Sequence, residues 1–164
     1  MGMKESRVTA SSIASRVPQA LQNWTCSDVF RAAPIERVAI IKSGLPARWA
    51  KMALADFMRG CGRELSVLKL SQAAINRKAA LDARLSLGKS ECALGVAGLI
   101  GQIETMLQET GAPDGFNASG WFAKWVTSPL PALGGERPIE YLDTWDGRIV
   151  ISRILTQMQS GAYA

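Results

Sequence analysis

Gln72, Asn76 and Arg77 are side-chain types that hydrogen-bond base edges in a DNA major groove, and Ser71, Lys78 and Arg84 around them suit phosphate oxygens. On a helix Gln72 and Asn76 are i, i+4 neighbours, so one face presents both amides while Ile75 packs inward. Ala73, Ala74 and Ala80 keep such a helix slim. The segment reads equally well as an ordinary solvated helix, and these residues by themselves do not separate the two. Charge distribution bears on the choice. The 164 residues carry a formal net charge of +5, and it is unevenly placed: residues 31–85 hold eleven Lys and Arg against four acids, whereas residues 111–164 hold four against five. A basic first half and a near-neutral second half suit one surface for phosphates and another for a protein or small ligand.

The composition excludes much other chemistry. There is no histidine, which removes the usual neutral-pH general base, the Ser-His and Cys-His nucleophile pairs and imidazole-based zinc sites. Cys26, Cys61 and Cys92 are scattered and odd in number, the pattern of reduced, buried thiols in a cytoplasmic protein. Glu136, Glu140, Asp143 and Asp146 cluster, but acids near a helix start are ordinary complements to its dipole, and no nucleophile accompanies them. The longest apolar stretch, Ala93 to Ile100, falls far short of the roughly 20 residues a bilayer span needs. The expectation is a protein with no membrane association, no enzyme activity, no metal and no cofactor.

The elements that must position these residues read as helices throughout, an all-α protein. Pro34 opens a helix that Gly44 stops. Pro46 opens another, with Trp49, Met52, Ala53 and Phe57 as its core stripe and Gly60 closing it. Arg63 to Leu68 reads as a short helix, Lys69 to Ser71 as a turn, and Ser71 as the N-cap of a helix running to about Arg84: a helix-turn-helix outline. Ser90 or Gly88 starts a long helix ending before Gly111, whose Gly95, Gly98 and Gly101 let another backbone, such as a partner subunit's, approach closely. A boundary follows at Gly111-Ala-Pro-Asp-Gly115. Asn117 then caps a helix bearing Trp121, Phe122, Trp125 and Val126, and Thr144 caps the last one, which Gly161 ends. The implied division is a flexible basic arm over 1–30, a DNA-binding and dimerisation domain over 31–110 and a second domain over 111–164.

The second domain contains Trp121-Phe-Ala-Lys-Trp125 and then Pro129-Leu-Pro-Ala-Leu-Gly-Gly-Glu-Arg-Pro-Ile-Glu-Tyr-Leu-Asp-Thr-Trp-Asp-Gly-Arg148, in which Pro138 opens a short helix to Leu142. A terminal helix with a small-residue tail follows. This pattern resembles the C-terminal toxin-binding domain of the Xre/MbcA/ParS family of antitoxins, and Gly44-Leu-Pro-Ala47 with Leu70 to Lys78 resembles its Xre-type helix-turn-helix domain. One departure is Ala74-Ile75-Asn76, where family recognition helices commonly carry Thr before the basic pair. The resemblance implies the antitoxin of a type II toxin–antitoxin pair, whose partner is a RES-domain toxin that attacks NAD or transfers its ADP-ribose. It implies toxin contact through Trp121, Trp125, Leu133, Gly134, Gly135, Arg153, Ser160, Gly161, Tyr163 and Ala164, with the C-terminal segment blocking the toxin's active site. It also implies a homodimer that binds operator DNA and represses its own operon. A thin tail suits a cleft, Tyr163 can stack where a base or ribose would lie, and a terminal carboxylate can pair with an arginine meant for phosphate. The competing class is a one-component helix-turn-helix regulator without a toxin partner.

Overall fold

A computed structural model describes residues 21–161. Among them there are eight α-helices, four short 3-10 segments and no strand. The helices are α1 (Cys26–Arg31), α2 (Pro34–Ser43), α3 (Ala47–Ala53), α4 (Ala55–Cys61), α5 (Gln72–Ala80), α6 (Leu87–Thr110), α7 (Ala118–Val126) and α8 (Trp145–Gln159).

The axis of the fold is α6, 24 residues and so about 36 Å long. Against it lies α1, formed by residues expected to belong to a flexible arm. Thr25 caps α1 reciprocally with Asp28: the Asp28 amide donates to Thr25 Oγ1 at 3.2 Å, and the Thr25 amide donates to Asp28 Oδ2 at 2.7 Å. The close approach at Gly101 belongs to α1, because a Cβ there would run into the Cys26 carbonyl. Ser27 Oγ then donates to Glu104 Oε2 at 2.7 Å and Arg31 Nη2 to Gln108 Oε1 at 3.0 Å. At Gly95 the Arg148 side chain fills the space a Cβ would need, and beside Gly98 sits Val29. Gly95 and Gly101 therefore serve packing within the chain, where approach by a partner subunit was expected. The remainder of the expected arm, residues 1–20, lies outside the described residues.

Hydrogen bonds from the Thr25 backbone and side chain hold the Asp28 carboxyl below its ordinary range. A lowered folded-state value means the cap contributes fully above the unfolded carboxyl range, near pH 4, and fades as pH falls through the folded value. Asp28→Asn is expected to lower the unfolding midpoint at pH 7, with the difference from the parent shrinking as pH falls through the folded carboxyl's value, as followed by circular dichroism.

Elsewhere the local chemistry shifts several expected boundaries. The Pro46 helix is broken at buried Leu54 into α3 and α4, and the expected stripe is only partly buried: α3 turns Ala47, Trp49 and Ala50 inward and Phe57 of α4 is buried, but Met52 is 70% exposed. The glycine that ends α4 is Gly62, with φ +54, and not Gly60, which sits where α4 meets Ala123 of α7. Residues 62–68 form a 3-10 segment, and α5 stops at Ala80 because Asp82 turns left-handed, leaving Arg84 beyond the helix. Ser86, not Ser90 or Gly88, stands at the start of α6; Ser90 is buried, accepting from the Leu45 amide at 2.8 Å and donating to the Leu85 carbonyl at 3.2 Å. The short Pro138 helix is a 3-10 segment ending at Tyr141.

The buried apolar cluster runs without interruption from Leu21 to Leu155, across the turn at residues 111–115. Among the contacts that join the halves, Phe57 of α4 stacks on Phe122 of α7 with centroids 5.6 Å apart, and α8 runs parallel to α6. Cys26, Cys61 and Cys92 are buried free thiols; burial pushes the first two up to about 12 and the third to about 11, so they are inert filler at neutral pH.

Candidate functional site

The first candidate surface is built on α5. Ser71 Oγ accepts from the Ala74 amide at 3.3 Å, the N-cap expected of it. Ile75, 2% exposed, and Ala79 anchor the inner side of α5 in the core, where it packs on α3. That orientation leaves Ser71, Gln72, Asn76 and Arg77 exposed and Lys78 half-buried, so the amide and basic groups share the open side. A two-residue backbone clasp fixes α5 to the turn before α3: the Ala47 amide donates to the Ala83 carbonyl at 3.0 Å and the Leu85 amide to the Leu45 carbonyl at 2.8 Å.

Arg84 sits at this clasp and donates from Nη1 to the Gly44 carbonyl at 2.7 Å, which holds its side chain away from α5. Arg48, which pattern reading did not single out, reaches the C-terminal end of α5 instead. Its Nε bonds the Ala79 carbonyl at 3.2 Å and pairs with Asp82 at 3.2 Å, with both side chains well exposed. The available signal was its position, two residues after the helix-opening Pro46.

The second surface belongs to residues 117–161. Asn117 caps α7 by accepting from the Gly120 amide at 2.9 Å, and its Nδ2 donates to Asp56 on α4 at 3.1 Å. Phe122, Ala123 and Val126 are buried. Trp121 and Trp125 are both half-buried and stack on each other, centroids 5.9 Å apart at 15°. A pair of large rings that is packed on one side and open on the other suits a protein interface.

Beyond α7 the chain forms a tight loop, with the Leu130 amide donating to the Glu136 carbonyl at 2.9 Å and the Gly135 amide to the Leu130 carbonyl at 3.0 Å. Gly134 and Gly135 take φ +67 and +88, and nothing lies within 4 Å of where their Cβ atoms would be. They are required by the left-handed backbone, and their lack of side chains leaves that backbone bare toward solvent. Leu133 is half-buried against the core.

Arg137 and Arg148 hold this region in place. Arg137 pairs with Glu64 at 2.7 Å and with Glu140, bridging the segment ahead of α5 to the loop ahead of α8. Glu136 accepts from the Tyr141 hydroxyl at 2.7 Å, so the acids around residue 140 are engaged in local bonds. The Arg148 side chain is 8% exposed; it donates to the Leu142 carbonyl at 2.9 Å and to Glu91 of α6 at 3.0 Å. Neither arginine stood out in the sequence, since each partner lies on another element.

Thr144 caps α8 through the Gly147 amide at 3.1 Å. Ile151, Ile154 and Leu155 enter the core, and Gln102 of α6 reaches the Ser152 carbonyl at 3.0 Å and Thr156 Oγ1 at 3.1 Å. Arg153 is exposed. From Thr156 to Gly161 every residue is exposed, and Ser160 Oγ bonds only the Gln157 carbonyl. Tyr163 and Ala164 lie outside the described residues.

The DNA-type residues thus lie on α5 and just after it, and the Trp pair, the glycine loop and the last turn of α8 lie on later elements that share the same core. Comparison with known proteins agrees with the second surface. Residues 115–161 match the model for the antitoxin Xre/MbcA/ParS C-terminal toxin-binding domain. The chain is also 44% identical over 136 residues, 83% of its length and 86% of the relative's, to a protein of Sphingobium sp. (strain YBL2) named Prs ADP-ribosylating antitoxin. With likeness reaching from the tail deep into the helices before the 111–115 turn, the chain belongs to the Xre/MbcA/ParS family of antitoxins.

Proposed function

We propose that this protein neutralises a RES-domain toxin, NAD-degrading or ADP-ribosylating, by placing its C-terminal segment in the toxin's active site, and that it represses its own operon through α5. The observation that carries the reading is the form of α8. Its first two-thirds are clamped by Arg148, Gln102 and the core, while its last turn is exposed and continues into a small-residue tail. A rigid stem with a thin tip loses little conformational entropy on entering a cleft. Trp121, Trp125 and the bare backbone of Gly134 and Gly135 supply flanking contacts, with Leu133 and Arg153 beside them. The name of the Sphingobium relative supports an ADP-ribosyl-transferring partner. The test is an NAD-consumption and ADP-ribosylation assay of the neighbouring gene's product. Equimolar antitoxin is expected to stop the reaction; undiminished turnover sinks the proposal.

On the DNA side, Ser71, Gln72, Asn76, Arg77, Lys78 and Arg84 read and hold the operator, with residues 31–110 as the binding module and residues 111–164 as the toxin-binding one. Arg84 contributes through guanidinium donors not used by Gly44. A homodimer matches a two-fold operator. Replacing Arg77 and Lys78 by Ala is expected to weaken operator binding, to relax its base preference through loss of Arg77, and to lower the slope of log K against log salt by about 0.9 per protomer through loss of the Lys78 phosphate contact. Fluorescence anisotropy at several salt concentrations measures it, with neutralisation unchanged. An unaltered slope moves the DNA site away from α5.

A further inference from the structure

At the end of the molecule where α6 and α8 finish, an apolar groove of about 220 Å³ opens between them and the start of α7. Its walls are Met106, Leu107, Phe116, Trp121, Leu155 and Met158, and Phe116 is 46% exposed although it faces this hollow. An apolar cavity of about 150 Å³ already takes up benzene, so the groove has room for one aromatic side chain. Thr110 and Gln159 supply its polar members. The groove therefore asks for an aromatic ring with a polar tip, which describes tyrosine.

Tyr163 is close by in sequence. Met158 and Gln159 are groove residues on the last turn of α8, so the chain leaves that helix at the groove's edge. Gly161 then takes φ +70 with its amide on the Met158 carbonyl at 3.3 Å, a left-handed residue of the kind that ends a helix and turns the chain off its axis. Tyr163 follows two residues later, within at most about 7 Å of backbone.

We infer that in the free antitoxin the 162–164 segment folds back at Gly161 and seats the Tyr163 ring in this groove, hydroxyl toward Thr110 or Gln159. This rests on the reading of the tail as the part that enters the toxin, and adds a regulation to it. The same ring is either stowed or inserted, so toxin binding begins with its release. Burial of the ring also covers Phe116 and Met158, which otherwise face water.

The test is NMR on the full free chain with labelled methyl groups. Nuclear Overhauser contacts are expected between the Tyr163 ring and the methyls of Met106, Leu155 or Met158, independent of protein concentration. Tyr163→Ala is expected to shift the Met106 and Met158 methyl and Trp121 indole resonances. Met106→Lys is expected to remove the Tyr163 contacts while neutralisation persists. Tyr163 ring protons at random-coil positions would overturn the inference. So would contacts to the groove from residues 1–20, or contacts seen only between differently labelled copies. No toxin is present in these spectra, so the groove contacts can be absent while the full chain still neutralises. Conversely, the contacts can be present while a chain lacking the tail neutralises, which would sink the insertion reading alone.

Discussion

Removing Ser160 to Ala164 is expected to abolish neutralisation and leave operator affinity within about twofold of the parent. The expected rise in the antitoxin concentration needed for half-inhibition is at least about 100-fold, or about 2.7 kcal/mol, the range of a binding hot spot. The fold should be indifferent to the deletion. The last turn of α8 is exposed, Ser160 bonds only to its own helix, and the core ends at Leu155. Operator binding resides on α5, which is held by the clasp at residues 45–47 and 83–85. Growth of cells expressing the toxin and the truncated chain, together with anisotropy on operator DNA, measures both arms. Survival of those cells would show that the tail is not what stops the toxin.

Phe57→Ala is expected to cost about 3–5 kcal/mol, the range for truncating a fully buried Phe, against a total stability of about 5–15 kcal/mol for a domain. Phe57 is wholly inaccessible and its ring stacks on Phe122. The cavity therefore opens between α4, in the first half of the chain, and α7, which carries the Trp pair. Because one continuous core joins the two, denaturant should unfold the variant in one transition, with helix circular dichroism and tryptophan fluorescence coincident. The midpoint should fall by roughly 10 °C in a thermal scan. Two separated transitions, with only one of them shifted, would show instead that the 111–115 turn divides independently folding units. Phe57→Leu, which keeps much of the volume, should lose far less.

Much of the helical plan was legible in local chemistry. Pro34, Gly44, Ser71, Gly111, Asn117 and Thr144 stand where starts, stops and caps were expected, because each acts through the backbone within a turn of its own position. Ile75 packing inward while Gln72 and Asn76 stay exposed was likewise expected from residue type and helical spacing together. The family was readable from the run between Trp121 and Arg148, whose glycines and prolines encode a loop geometry that few other folds need.

What failed were readings that depended on what lies across space. Met52 points to solvent because α3 packs through Ala47, Trp49 and Ala50, and the apolar spacing alone does not say which side of the helix the core will cover. Gly95 and Gly101 announced a close neighbour truthfully, but that neighbour is Arg148 in one case and α1 in the other. Arg48, Arg137 and Arg148 passed as ordinary charges, since their partners Asp82, Glu64 and Glu91 are 34, 73 and 57 residues away. The amino-acid order alone therefore determined the helices, their caps and the family, all of which rest on interactions a few residues long. Tertiary structure alone decided that the two halves share a core, which partners Gly95, Gly101, Arg48, Arg137 and Arg148 serve, and that an apolar groove opens where α6 and α8 end. Those outcomes depend on burial and charge pairing between segments that sequence distance does not relate.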